Sequence, residues 1–178
     1  MIMPAAPAPV WTLAPEPVAS PDATRLRRAY YDEVASRYWR RPATTAEVDE
    51  GLAGDGAELL TPPTGQFVVG WHGRPGAAPE ALACGGVLLL DAGRAELTRV
   101  YISPRARGTG GGARLLAALE DAACGLGARR VVLNTRLDLV EARALYRRNG
   151  YEDIEPYCTG PYVEVWYGKD LTGPAARG

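Results

Sequence analysis

The stretch Arg105-Ala106-Arg107-Gly108-Thr109-Gly110-Gly111-Gly112-Ala113-Arg114-Leu115-Leu116 constrains this chain more than any other. It follows a β-like run, 96–102, and passes into an amphipathic helical pattern. Glycines at 108, 110, 111 and 112 let the backbone reach positive φ and approach a ligand with no Cβ in the way. Where such a loop opens a helix, its free N–H groups and the positive end of the helix dipole favour a phosphate. Arg105, Arg107 and Arg114 make the loop cationic. The local sequence therefore predicts a pyrophosphate cradle between a strand and a helix.

The bulk numbers leave the cradle to be argued as a local site. A net charge of −1 over 178 residues supplies no general field for nucleic acid or an anionic membrane surface. Neither is expected as a partner. Hydrophobic residues at 47% and charged residues at 23% fit one globular domain with a sizeable core. Cys84, Cys124 and Cys158 are widely spaced, and His72 is the only histidine, so neither a metal site nor a disulfide framework is expected. Met1 to Val10 is rich in Pro and Ala without a basic-then-apolar leader. No apolar run approaches the roughly 20 residues that span a bilayer. A cytoplasmic setting follows as the expectation.

In chain order, 1–9 reads as a disordered N-terminal tail, 10–171 as one domain and 172–178 as a C-terminal tail. Val10 to Leu13 predicts a short first strand. Ser20-Pro21 is a helix start, a hydroxyl cap followed by proline at the first helical position. Leu26, Tyr30, Val34 and Tyr38 then mark one face of a helix running to about Arg40. Thr44 to Glu47 reads as a capping box for a shorter helix. Strands are expected at 66–71, 81–90 and 96–102, joined by turns of hairpin length, which makes an antiparallel meander. His72 falls in the first of those turns. After the glycine loop, leucines and alanines keep helical spacing to Leu126, with Gly125 and Gly127 as the stop. Arg130 to Asn134 is a short strand. Asp138 to Glu141 reads as an N-cap with its acidic partner, opening a helix that ends at Gly150. Strands at 151–157 and 162–167 complete an α/β chain with a mixed, α+β sheet and about four helices.

Three phosphate loops compete for the glycines. A Walker A loop needs Gly-Lys-Ser/Thr, absent here. Gly108 to Ala113 does satisfy G-x-G-x-x-A, the dinucleotide fingerprint, but an antiparallel meander precedes it rather than the first strand of a βαβ unit. The third uses more of the chain. Val100-x-Ile102-x-Pro104-x-x-Arg107-Gly108-x-Gly110-x-Gly112-x-x-Leu115-Leu116 resembles the acetyl-CoA signature of the GNAT N-acetyltransferases, with Arg107, Gly110 and Gly112 at its core positions. Downstream, Asn134 and the run Glu141-Ala142-x-Ala144-Leu145-Tyr146-x-x-x-Gly150-Tyr151 resemble the family's second cofactor segment. One position departs: the family usually carries an aliphatic residue where Gly111 stands. Glycine costs helix propensity there, of order 1 kcal/mol, and suggests a loop less ordered without acetyl-CoA.

That resemblance implies a single-domain GNAT fold with splayed central strands, and an N-acetyltransferase using acetyl-CoA and an amine acceptor, with no metal. A non-catalytic acyl-CoA-binding domain on the same fold is the alternative, a longer acyl donor is a further one, and a homodimer is left open. It further implies pantetheine contacts along Val100, Tyr101 and Ile102, and pyrophosphate contacts from Arg107, Gly108, Thr109, Gly110, Gly111 and Gly112. Asn134 matches a cofactor-contacting position, or is a strand-end turn former. Tyr146 matches the tyrosine beside the cofactor sulfur that serves as general acid, and its spacing also fits a core residue. Glu96 stands where some members carry a catalytic base; a solvated edge-strand glutamate is the other reading. Tyr30, Tyr31, Tyr38 and Trp39 either line an acceptor pocket or pack in the core.

Overall fold

The periodicities above resolve into a sheet with helices on both faces. The computed structural model describes residues 4–172. The elements follow the expected order: β1 (Val10–Pro15), α1 (Pro21–Trp39), α2 (Thr45–Leu52), β2 (Gly65–Gly73), β3 (Glu80–Leu89), β4 (Arg94–Ile102), α3 (Gly111–Gly125), β5 (Arg130–Thr135), α4 (Val140–Arg148), β6 (Glu152–Asp153) and β7 (Val165–Asp170). Residues 1–3 and 173–178, the outer parts of the expected tails, lie outside the described residues, and Pro4 to Pro9 form no helix or strand.

Local chemistry starts the N-terminal helices as read. The Ser20 hydroxyl accepts from the Ala23 N–H with Pro21 in the first turn, and Thr44 and Glu47 form the reciprocal capping box. The strands form one sheet ordered β1-β2-β3-β4-β5-β7-β6. β1 to β4 pair antiparallel, β4 and β5 parallel, and β7 antiparallel to both β5 and β6. Under one face, Leu115, Leu116 and Leu119 of α3 and Tyr146 of α4 pack on Val68, Val87, Leu97, Val131 and Leu133. Under the other, Ala23 and Leu26 of α1 pack on Phe67, Val69, Ala81 and Cys84. Burying these two apolar layers is the main stabilisation.

The parallel β4–β5 pairing is brief. It covers only Arg94↔Arg130, Ala95↔Val131 and Glu96↔Val132, after which the strands part. On its other side β4 carries an irregularity against β3 between Cys84 and Gly86. Arg99 sits there at φ 54°, a left-handed conformation that costs a non-glycine residue of order 1–2 kcal/mol. The splay and the bulge open one cleft.

Four sequence expectations need correction. Asp138 does not cap α4: the N-cap position is Leu139, without a side-chain bond, because the Asp138 carboxylate is taken by Arg136 at 2.8 Å. The strand expected at 151–157 is only Glu152–Asp153, since Pro156 has no N–H to continue a ladder. The last strand is Val165–Asp170 rather than 162–167. Its register is set by β5, from Thr135↔Val165 to Arg130↔Asp170, and tertiary pairing overrides propensity. His72 lies in β2, stacked on Trp11 at 4.6 Å between ring centroids, and not in a turn.

Candidate active site

The cleft between the parted strands is a cavity of about 590 Å³ lined by β4, α1, the glycine loop, the end of β5 and α4. The glycine loop forms one wall. Gly108 and Gly110 have φ of 78° and 84°, and Gly110 is the N-cap of α3 without a side-chain cap bond. Among the described residues, the backbone N–H groups of 108–113 donate to no acceptor, and the first helix bond outside the ladder is Arg114 N–H to Gly110 O. A row of unpaired donors at a helix N-terminus suits a pyrophosphate, so the chain fits the group its sequence implied.

Gly108, Gly110 and Gly112 line the cavity, whereas Thr109 and Gly111 lie behind it. The Thr109 hydroxyl donates to Ala106 O at 2.6 Å and accepts from the Trp11 indole N–H at 3.0 Å, which ties the loop to β1. Gly111 is buried, and a Cβ there would lie 2.4 Å from Trp11 Cζ2. The departure at Gly111 thus has a physical reason: the indole of Trp11 occupies the space an aliphatic side chain would need. The same indole ties the start of α3 to β1.

Arg107 lines the cavity, with its Nε donating to Ile102 O at 3.1 Å. Its Nη2 meets both carboxylate oxygens of Glu33 on α1, at 2.8 and 2.7 Å. One helical turn on, Arg37 donates to Glu141 at 3.0 Å and to Asp138 O at 2.6 Å. A chain of ion pairs therefore runs from the glycine loop over α1 to the start of α4. Glu33 is a residue sequence reasoning missed. Its partner lies 74 positions away and no local signal marks the pair.

Val100, Tyr101 and Ile102 all line the cavity along the β4 edge that β5 has left open. Ala95 and Leu97 are buried toward α3, so Glu96 and Thr98 project to the α1 face by the alternation of a strand. Glu96 is the last β4 residue paired with β5, at the apex of the splay. There the structure brings Glu96 and Asn134 together. Asn134 Nδ2 donates toward Glu96 Oε2 at 3.3 Å and the Tyr157 oxygen at 3.2 Å, and lies 3.5 Å from Cys158 Sγ. The Tyr157 hydroxyl donates to the same Glu96 oxygen at 2.7 Å. Burial, with Glu96 opposing a second negative charge, raises Tyr157 well above the usual phenol range, so it remains a donor. Tyr157 was hidden in a stretch that reads as strand, where the shortened β6 leaves the chain free to turn inward.

Tyr146 also lines the cavity and is otherwise buried, its ring 5.8 Å from Tyr151 and 5.9 Å from Tyr167. Its ring is part of the core, as helical spacing allows, and its edge meets the cavity. Burial first, then Tyr30 and Tyr167, holds its hydroxyl far above the ordinary range and thus protonated. Of the α1 aromatics only Tyr30 lines the cavity; Tyr31 donates to Asp55 at 3.2 Å. Tyr38 and Trp39, 44% and 51% exposed, lie outside both core and cavity, so the inward stripe of α1 drifts off at Tyr38. Burial pushes the Cys84 thiol up to about 12, and it is inert. The described residues hold no group of three or more potential metal ligands, and no helix long and apolar enough to cross a membrane.

Comparison with known proteins gives a family and a fold. Residues 26–151 match the sequence model of the Acetyltransferase (GNAT) family. An IAA acetyltransferase of Azospirillum brasilense is 35% identical over 82 residues, 46% of this chain and 52% of that protein. The chain spans no more than about half the length of the curated relatives it matches. A Klebsiella pneumoniae protein of known structure, provisionally assigned as an acyl-CoA N-acyltransferase, is 28% identical with a TM-score of 0.66, over 92% of this chain and 99% of that one. A Sinorhizobium meliloti phosphinothricin acetyltransferase solved with acetyl-CoA shares the fold alone, at 20% identity and TM-score 0.62 over 93% of this chain and 91% of its own. With the family match running from the first helix past the glycine loop to Tyr151, the chain belongs to the GNAT acetyltransferase family.

Proposed function

We propose that this protein transfers the acetyl group of acetyl-CoA to a primary amine of a small molecule or peptide, by direct attack in a ternary complex. One observation carries the reading: an open N–H cradle and the Glu96–Asn134 pair, backed by Tyr157, lie at two ends of a single cavity, joined by the free edge of β4. The pyrophosphate occupies the N–H groups of 108–113, and Arg107 adds a charge-assisted bond. The pantetheine arm follows Val100 to Ile102, which sets the thioester near the apex.

The residues then divide the chemistry. An alkyl ammonium has a pKa near 10 and must lose a proton to attack. Glu96 takes that proton, held in place by Tyr157 and Asn134. The new N–C bond forms as the C–S bond breaks, the nitrogen's second proton leaves to water, and the departing thiolate needs a donor. Tyr146 supplies a hydrogen bond to the sulfur. Its raised pKa makes complete proton release less favourable, so it stabilises the developing charge and water completes the transfer. A reducing, cytoplasmic setting belongs to the same proposal, in keeping with three free cysteines.

Thiol release from acetyl-CoA, followed with a panel of amines, tests the reading. Amine-dependent release supports it; tight acetyl-CoA binding with no release from any amine would indicate the non-catalytic alternative. In that assay Tyr146→Phe lowers kcat at least about tenfold with acetyl-CoA affinity nearly kept, on the scale of a lost hydrogen-bond donor to developing charge. An unchanged kcat would remove Tyr146 from the chemistry. Glu33 competes with the pyrophosphate for Arg107, so Glu33→Gln should tighten acetyl-CoA several-fold by calorimetry, about 1 kcal/mol for a partly exposed pair. Weaker binding would mean instead that Glu33 orients Arg107 for the phosphate.

A further inference from the structure

The acceptor side of the cavity carries a charge imbalance that acetyl-CoA does not explain. Arg99, held at positive φ on the β4 bulge, lines the cavity on the α1 side, and its side chain is 10% exposed. It meets the Asp55 backbone carbonyl, and Asp55 Oδ2 lies 3.4 Å from it. The same carboxylate is held by both contacts of Arg27 Nη2, at 3.3 and 3.1 Å, with Arg27 12% and Asp55 7% exposed. Asp55 also accepts from the Ala57 N–H at 3.0 Å and the Tyr31 hydroxyl at 3.2 Å, so its acceptor capacity is filled. Two guanidinium groups thus share one carboxylate in a largely buried cluster. Among the described residues neither makes another ion pair, and the Nε of each has no partner.

A buried surplus of positive charge is costly unless an anion compensates it. The surroundings on the cavity side supply the donors such an anion needs. Thr98 Oγ1 accepts from Arg99 Nη1 at 3.3 Å, which leaves its own hydroxyl hydrogen free. Tyr30 lines the same wall, and burial first, then Tyr31, pushes its pKa up to about 12, so it stays a donor at neutral pH. Glu96 stands three residues before Arg99 on the same strand, roughly 10 Å of backbone at most. Both side chains reach the α1 face, so an ammonium offered to Glu96 puts the rest of a small acceptor against Arg99.

We infer that the acceptor is an amino carboxylic acid, its amine directed to Glu96 and its carboxylate held by Arg99, Thr98 and Tyr30. This rests on the acetyl-transfer reading, and it adds what that reading lacks: a class of acceptor. The carboxylate brings the cluster to neutrality, and charge-assisted bonds to a guanidinium give both affinity and orientation. Arg27 contributes only through the charge it adds behind Asp55, and is a positioning residue.

The test uses matched acceptors: L-phenylalanine, L-methionine and L-glutamate, each beside its amide and its decarboxylated amine. Thiol release gives kcat/KM for each, and calorimetry on the CoA-saturated protein gives acceptor affinity without turnover. The expected result is a kcat/KM at least tenfold higher for the best acid than for its amine and amide. In Arg99→Asn, chosen because asparagine tolerates positive φ, that ratio falls toward one while release with the amine persists. Arg27→Met, outside the cavity lining, lowers the ratio partway. Release that ignores the carboxylate, or an Arg99→Asn variant that slows acid and amine equally, overturns the inference and leaves acetyl transfer intact. Acids bound through Arg99 without any thiol release would support this site and contradict the transfer reading.

Discussion

Glu96→Gln is expected to lower kcat by about 100-fold or more, within the usual span for a general base. The substitution keeps the cluster's shape: the glutamine oxygen can still accept from the Tyr157 hydroxyl and from Asn134 Nδ2, the two groups that now hold Glu96 Oε2. Only the basicity is lost. With no base, the residual rate should climb with pH as more of the amine is free, following the amine's own pKa near 10. Acetyl-CoA affinity should be unaltered, because the cradle lies at the other end of the cavity. A kcat within twofold of the parent would assign proton removal to water and leave Glu96 as a wall.

The second large effect concerns the loop itself. Gly111→Val should destabilise the fold by about 3 kcal/mol, the upper end for overpacking, lowering Tm by roughly 6–12 °C for a domain of this size. The Cβ would lie 2.4 and 2.5 Å from Trp11 ring carbons, and the ring has nowhere to go. His72 stacks on it, Thr109 holds its N–H, and the Cβ position of Gly70 lies 3.3 Å from the same indole. Because α3 begins at Gly111, the displaced first turn should also weaken acetyl-CoA at least tenfold. Trp11→Ala in the same chain should recover much of the loss, giving a coupling above about 1 kcal/mol in a double-mutant cycle. Additive effects would mean that the indole does not explain the glycine.

The same pair shows what the sequence could and could not disclose. Features encoded by neighbours in the chain were legible: the Ser20 and Thr44 caps, the meander of β2 to β4, and the glycine loop between strand and helix. Glu96 and Asn134, chosen on separate grounds, meet in space because the strands bearing them part just beyond Glu96↔Val132. What stayed hidden depends on contacts between residues far apart and free of any periodic pattern. Trp11 reads as one apolar residue of a first strand, and nothing near it announces a partner at Gly111. Tyr157 reads as an alternating strand residue until Pro156 and the register of β7 against β5 remove that strand. Glu33 carries no local signal, although it grips Arg107 across the cavity. Arg99 is plain strand sequence, and only the bulge turns it toward Asp55.

The central claim is that the cleft between β4 and β5 holds acetyl-CoA, with its pyrophosphate on the N–H groups of 108–113. Calorimetric titration of the protein with acetyl-CoA tests this most directly. The account predicts saturable one-site binding at micromolar concentration, lost at least tenfold in Gly111→Val and strengthened several-fold in Glu33→Gln. No binding up to millimolar acetyl-CoA would contradict it.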